Sequence, residues 1–87
     1  MSEADFIHIS SAVVSVLPAR LDHVAASLAS FPDIEIFHRT ETKIVIVLET
    51  ETNGLLGGRL AEIAGWPGVL SANMVFECVE RRAGIGD

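Results

Sequence analysis

The sequence predicts an α+β domain in which two helices cover one face of a four-stranded antiparallel sheet. Three observations lead there. The hydrophobic periodicity alternates along the chain in the order β-α-β-β-α-β. The two helix-to-strand connections repeat: SFPDIEIF (Ser30 to Phe37) and GWPGVLSA (Gly65 to Ala72) each run small residue, aromatic, Pro, small or acidic residue, strand. The chain has 87 residues and 49% of them are hydrophobic, which suits one two-layer core and no second domain.

Residues 6 to 16, FIHISSAVVSV, are rich in β-branched side chains, lack Gly and Pro, and read as a strand. Pro18 is suited to the first turn of a helix. Leu21, Val24, Ala25 and Leu28 then recur at helical spacing, and Phe31-Pro32-Asp33 ends that helix. Residues 34 to 41 alternate as a second strand, and residues 43 to 49 form a stronger third. The polar stretch Thr40 to Thr42 makes them a hairpin of unassigned turn type. Thr52 or Asn53 caps a second helix over about 55 to 64, striped by Leu56, Leu60 and Ile63 and closed by Gly65. Gly57-Gly58 reads as close helix–sheet packing or as a weak helix start. Residues 69 to 79 are the last strand, and 81 to 87 a frayed polar tail. This order is the ferredoxin-like split βαβ pattern, a single domain over residues 1 to 87 with an ordered core of about 6 to 79.

Two helices leave the other face of such a sheet open. Alternation separates the two faces. Ala12, Val14 and Val16, with Ile34, Ile36 and His38, with Ile44, Ile46 and Leu48, and with Leu70, Ala72, Met74 and Phe76, are the more apolar set and should meet the helices. The open face then carries Ser11, Val13, Ser15, Phe37, Val45, Val47, Asn73 and Val75, with Arg39 alongside. Glu35, Glu49 and Glu77 form an acidic rim around it. An apolar patch with a polar rim marks an interaction surface.

Composition narrows the function classes. A net charge of −6 argues against phosphate-backbone binding, and the strand positions where RNA-binding relatives of this fold carry aromatics hold Ser11, Val13, Val45 and Val47. His8, His23 and His38 have no metal-ligand spacing, and the lone Cys78 forms neither a Cys-x-x-Cys pair nor an internal disulfide. Gly54, Gly57 and Gly58 lack the Lys-Ser/Thr of a phosphate loop. Ser10 and Ser11 lie near His8 without an activating third group. The expectation is a binding domain without cofactor, metal or catalysis. Met1 to Asp5 is acidic rather than a leader, and the longest apolar run, Ile44 to Leu48, is too short for a membrane, so a cytosolic protein is expected.

HISSAVV (His8 to Val14), KIVIVLE (Lys43 to Glu49) and PGVLSA (Pro67 to Ala72) together resemble the NapD family, over about Ile7 to Glu77. The chain departs from the family at Asp33 and Thr42, where Gly is frequent; both positions concern turns. The resemblance implies an assembly chaperone of the periplasmic nitrate reductase. Such a chaperone binds the twin-arginine signal peptide of the catalytic subunit in the cytoplasm and holds back export until the molybdenum cofactor is inserted. Two other classes share the topology: a small-molecule-binding regulatory domain, which needs a Gly-rich loop where this chain has Leu17-Pro18-Ala19, and a dimerisation module using the last strand's edge.

Overall fold

The structure is a computed structural model and describes residues 6–50 and 53–81. Strands β1 (Phe6–Val16), β2 (Ile34–Arg39), β3 (Lys43–Thr50) and β4 (Val69–Arg81) form one sheet in the order β2-β3-β1-β4, every neighbouring pair antiparallel. A 3-10 turn at Pro18–Arg20 leads into helix α1 (Leu21–Ala29), and helix α2 (Asn53–Ala64) joins β3 to β4. The β-α-β-β-α-β order is therefore as the periodicity indicated. The expected cap residue Thr52, the N-terminal segment Met1 to Asp5 and the tail beyond Arg81 lie outside the described residues.

The core lies on one face of the sheet, and β1 and β3 contribute to it the residues expected. Ala12, Val14 and Val16 of β1 and Ile44, Ile46 and Leu48 of β3 are buried with Val24, Ala25 and Leu28 of α1 and Leu56 and Ile63 of α2. Ser10 is buried in the same row, and its Oγ has no hydrogen-bond partner; neither does the buried Nδ1 of His8. The hairpin turn is closed by a side chain: Thr40 Oγ1 accepts from the Lys43 N–H at 3.1 Å, while the Thr40 N–H donates to the Lys43 carbonyl at 2.8 Å.

The repeated motif is a repeated structure. In the first corner, N–H groups of Ser30, Phe31 and Ile34 donate to the carbonyls of Ser27, Leu28 and Phe31. In the second, Gly65, Trp66 and Val69 donate to Glu62, Ile63 and Trp66 in the same pattern. The two aromatics stack, with ring centroids 5.8 Å apart. Arg59 of α2 lies over the Phe31 ring at 4.3 Å and donates from Nε and an Nη to Asp33 at 3.2 and 3.1 Å, and from its other Nη to Glu62 at 3.3 Å. This ladder ties α2 to the start of β2, a charge-assisted fork beside a cation–π contact.

Gly57 and Gly58 are not packing glycines. A Cβ at either would meet nothing within 4 Å, so close helix–sheet approach does not explain them. They make α2 a weak helix instead, since Gly costs up to about 1 kcal/mol relative to Ala in a helix interior. Gly57→Ala is expected to raise stability by about 0.5–1 kcal/mol. A chemical denaturation midpoint that falls, or stays fixed, contradicts this.

Candidate binding face

The open face is built from rows of cross-strand neighbours, whose side chains share a side. β1, the spine, alternates regularly: Ser11, Val13 and Ser15 are half-buried between fully buried neighbours. One row runs Glu35–Val47–Ser11–Phe76 across the four strands, and the next His38–Val45–Val13–Asn73. A third runs Lys43–Ser15–Ser71. Towards the other end, Glu49–Ile9–Cys78 and then Ile7–Glu80 continue the face. Val45 and Val47 are half-buried, and Glu35 and Glu49 are exposed. The structure thus brings together Ser11, Val13, Ser15, Val45, Val47 and Asn73, as expected, with Glu35 and Glu49 at one end.

Bulges change the outer strands. Phe37 is an extra residue between Ile36, opposite Ile46, and His38, opposite Val45. The slip moves His38 onto the open face and Arg39 to the helix side, reversing the expected positions; Arg39 there forms an ion pair with Asp22 of α1. Phe37 is 77% exposed at the sheet's edge. In β4, Val75 is the extra residue between Met74, opposite Ala12, and Phe76, opposite Ser11. Phe76 therefore belongs to the open face, not the core, and Glu77 falls opposite the buried Ser10 on the helix side, so it is not part of the rim. Glu80, opposite Ile7, occupies the rim position instead. A further irregularity pairs Val69 with Val16, so Val69 packs on the core and Leu70, expected to be buried, is exposed. A one-residue slip inverts every later side chain, and alternation cannot register an insertion.

The result is a polar gradient along the strands. Glu49 and Glu80 lie towards one end with Glu35 flanking Val47 on the β2 edge, the valines with Phe76 lie in the middle, and Lys43 stands at the other end, about 20 Å from Glu49 along β3. A shallow groove of about 80 Å³ sits at the acidic end, lined by Pro32, Asp33, Ile34, Glu35, Val47 and Glu49. Two further grooves lie at the helices. One, of about 390 Å³, runs between α1 and the second corner past His23, Ser27, Phe31 and Trp66. The other, of about 520 Å³, is bounded by Asp33, Glu49, Thr50, Leu55, Gly58, Arg59 and Glu62. Among the described residues, no group of three or more His, Cys, Asp or Glu is placed to hold a metal ion, and no helix is long and apolar enough to cross a membrane.

Fold and face together define a small ferredoxin-like domain with an uncovered, acid-edged apolar sheet surface. A family model described as "NapD protein" matches residues 7–81. The chain is 40% identical over 75 residues to Chaperone NapD of Paracoccus pantotrophus, covering 86% of this chain and 67% of that one. This chain belongs to the NapD family of chaperones. The solution structure of the E. coli Tat proofreading chaperone NapD superposes with a TM-score of 0.74 at 20% identity, covering 93% of this chain and 84% of that one. A transcriptional regulatory protein of the AsnC family from Pyrococcus furiosus superposes with a TM-score of 0.70 at 19% identity, over 90% of this chain and 55% of that one. At such identities both likenesses concern the fold.

Proposed function

We propose that this chain is a cytoplasmic chaperone that binds the twin-arginine signal peptide of the catalytic subunit of the periplasmic nitrate reductase on the open face of its sheet. It restrains export until cofactor insertion and folding are complete. The observation that carries this reading is the gradient on the open face. A signal peptide has a cationic end followed by an apolar stretch, and the face offers Glu35, Glu49 and Glu80 followed by Val47, Val45, Val13, Phe37 and Phe76. A helical peptide laid along the strands buries its apolar side on the valines while its arginines stay at the acidic end. The description of the E. coli relative as a Tat proofreading chaperone agrees with it.

The carboxylates at that end are exposed, so their pairing with arginine is screened by salt over roughly 8 Å at physiological ionic strength. Titration calorimetry with a synthetic twin-arginine signal peptide should show affinity falling roughly three- to tenfold between about 0.05 and about 0.5 M salt, the sum of a few exposed pairs. The valine contacts hold the remainder. An affinity independent of salt contradicts the role given to the rim.

A regulatory small-molecule domain shares the fold, as the AsnC-family likeness illustrates. The loop after β1 argues against it here. The Leu17 N–H donates to the Gly68 carbonyl at 2.9 Å, and Pro18 begins the 3-10 turn at once, which leaves no glycine-rich ligand loop.

A further inference from the structure

We infer that the row Lys43–Ser15–Ser71, at the far end of the open face, seats the carboxyl-terminal end of a bound helix, so that the signal peptide lies on the sheet in one direction only. The inference rests on the sheet-face reading above and adds to it the polarity and length of the bound segment. Hydrogen-bonding groups are sorted along the strands. Glu49, in the row with Ile9 and Cys78, and Glu80 beyond it carry carboxylates, which only accept. At the other end of β3, Lys43 has Ser15 and then Ser71 as cross-strand neighbours, so an ammonium and two hydroxyls stand in one row. The adjoining row adds His38 and Asn73, each with an N–H to donate. None of these donor side chains has a hydrogen-bond or ion-pair partner among the described residues. Arg39 and Arg59, by contrast, are held by Asp22 and by Asp33 with Glu62.

A helix has the same asymmetry. Its first turn leaves N–H groups free with a partial positive charge, and its last turn leaves carbonyls free with a partial negative one. With its amino end at Glu49 and Glu80, a helix meets acceptors with N–H groups and, further along, donors with carbonyls. Laid the other way, it sets carbonyls against carboxylates and N–H groups against an ammonium. The arginine pair precedes the apolar stretch, so it reinforces the first arrangement. The span sets the length: Glu49 and Lys43 are about 20 Å apart along β3, which a helix rising 1.5 Å per residue covers in about 13 residues. An extended segment would cover it in about six, and would lay unpaired N–H and C=O groups on valines that cannot bond them. A helix keeps those bonds internal and needs partners only at its ends, where the face supplies them.

The test uses a synthetic twin-arginine signal peptide with a nitroxide at one end or the other, amidated at its carboxyl terminus so that no terminal charge replaces the helix dipole. A label at the arginine end should broaden most the amide signals of Ile9, Glu49 and Glu80, and a label after the apolar stretch those of Ser15, Lys43 and Ser71. Lys43→Ala, at an exposed position, should weaken binding roughly two- to fivefold, and Lys43→Arg should restore it. The sign is diagnostic. A lysine without contact to the peptide only repels a cationic ligand, so its removal would tighten binding. The opposite broadening pattern, equal broadening of both ends by each label, or binding unchanged or tightened by Lys43→Ala overturns the inference while the sheet-face reading stands. Labels that broaden neither set, or a peptide that does not bind the wild type, overturn the two together. Circular dichroism of each variant confirms that the fold is retained.

Discussion

Val14→Asp is expected to leave the domain largely unfolded, whereas Val45→Asp and Val47→Asp remain folded and lose the signal peptide. Val14 is fully buried under the helices, between Ile44 of β3 and Ala72 of β4. A carboxylate there is set among the apolar side chains of the core, and burying it without a partner costs several kcal/mol in practice. A domain of this size sits at the low end of roughly 5–15 kcal/mol of total stability. Val45 and Val47 share the face of β3 opposite to the buried Ile44, Ile46 and Leu48, directed away from the helices and only half-buried. Their substitution leaves the charge in water and costs about 1 kcal/mol through lost strand packing. Binding is another matter, because the new carboxylate would be desolvated beneath the peptide's apolar side. Circular dichroism reads the fold and peptide titration reads the function. Unfolding by Val45→Asp with a folded Val14→Asp would invert the faces.

The second large effect is expected at Gly68. Its φ of +88° lies where side chains with a Cβ are strained, and a Cβ there would stand 2.5 Å from both Cβ and Cγ of Arg20. Gly68→Ala therefore carries roughly 1–2 kcal/mol of backbone strain and must also displace the 3-10 turn that Arg20 ends. The turn is held against Gly68 by the Leu17 hydrogen bond to its carbonyl, which limits how far it can retreat. A fall in melting temperature of roughly 10–20 °C is expected for a cost of a few kcal/mol in a domain this small. Asp33 stands at the matching place in the first corner, and no non-glycine residue of the described chain has a positive φ. Only the second corner needs glycine, so an unchanged melting temperature in Gly68→Ala would contradict the close approach to Arg20.

Much of this was legible in the residues. β-Branched runs gave β1 its observed ends, and the spacing of Val24, Ala25 and Leu28 gave the buried side of α1. β1 and β3, central and unbulged, have the expected faces throughout. The repeated aromatic-Pro corner was visible as a pattern, but the stacking of Phe31 on Trp66 and the Arg59–Asp33 fork are long-range contacts that no local spacing encodes. The errors gather in the edge strands. There a bulge has neighbours on one side only, and Phe37, Leu70 and Val75 carry no Gly or Pro to announce one. Hence alternation alone leaves His38, Phe76 and Glu80 off the open face and puts Glu77 on it.

The central claim is that the signal peptide lies on the open sheet face, and methyl NMR tests it most directly. Valine side chains alternate between the two faces, so their methyl groups separate what backbone amides blur. Titrating the labelled domain with the twin-arginine signal peptide should shift the methyls of Val13, Val45 and Val47 and give intermolecular contacts to them. Those of Val14 and Val24, buried beneath and within the helices, should barely move. Shifts confined to Val24 and the Trp66 indole beside the groove between α1 and the second corner, with Val13, Val45 and Val47 unmoved, would contradict it.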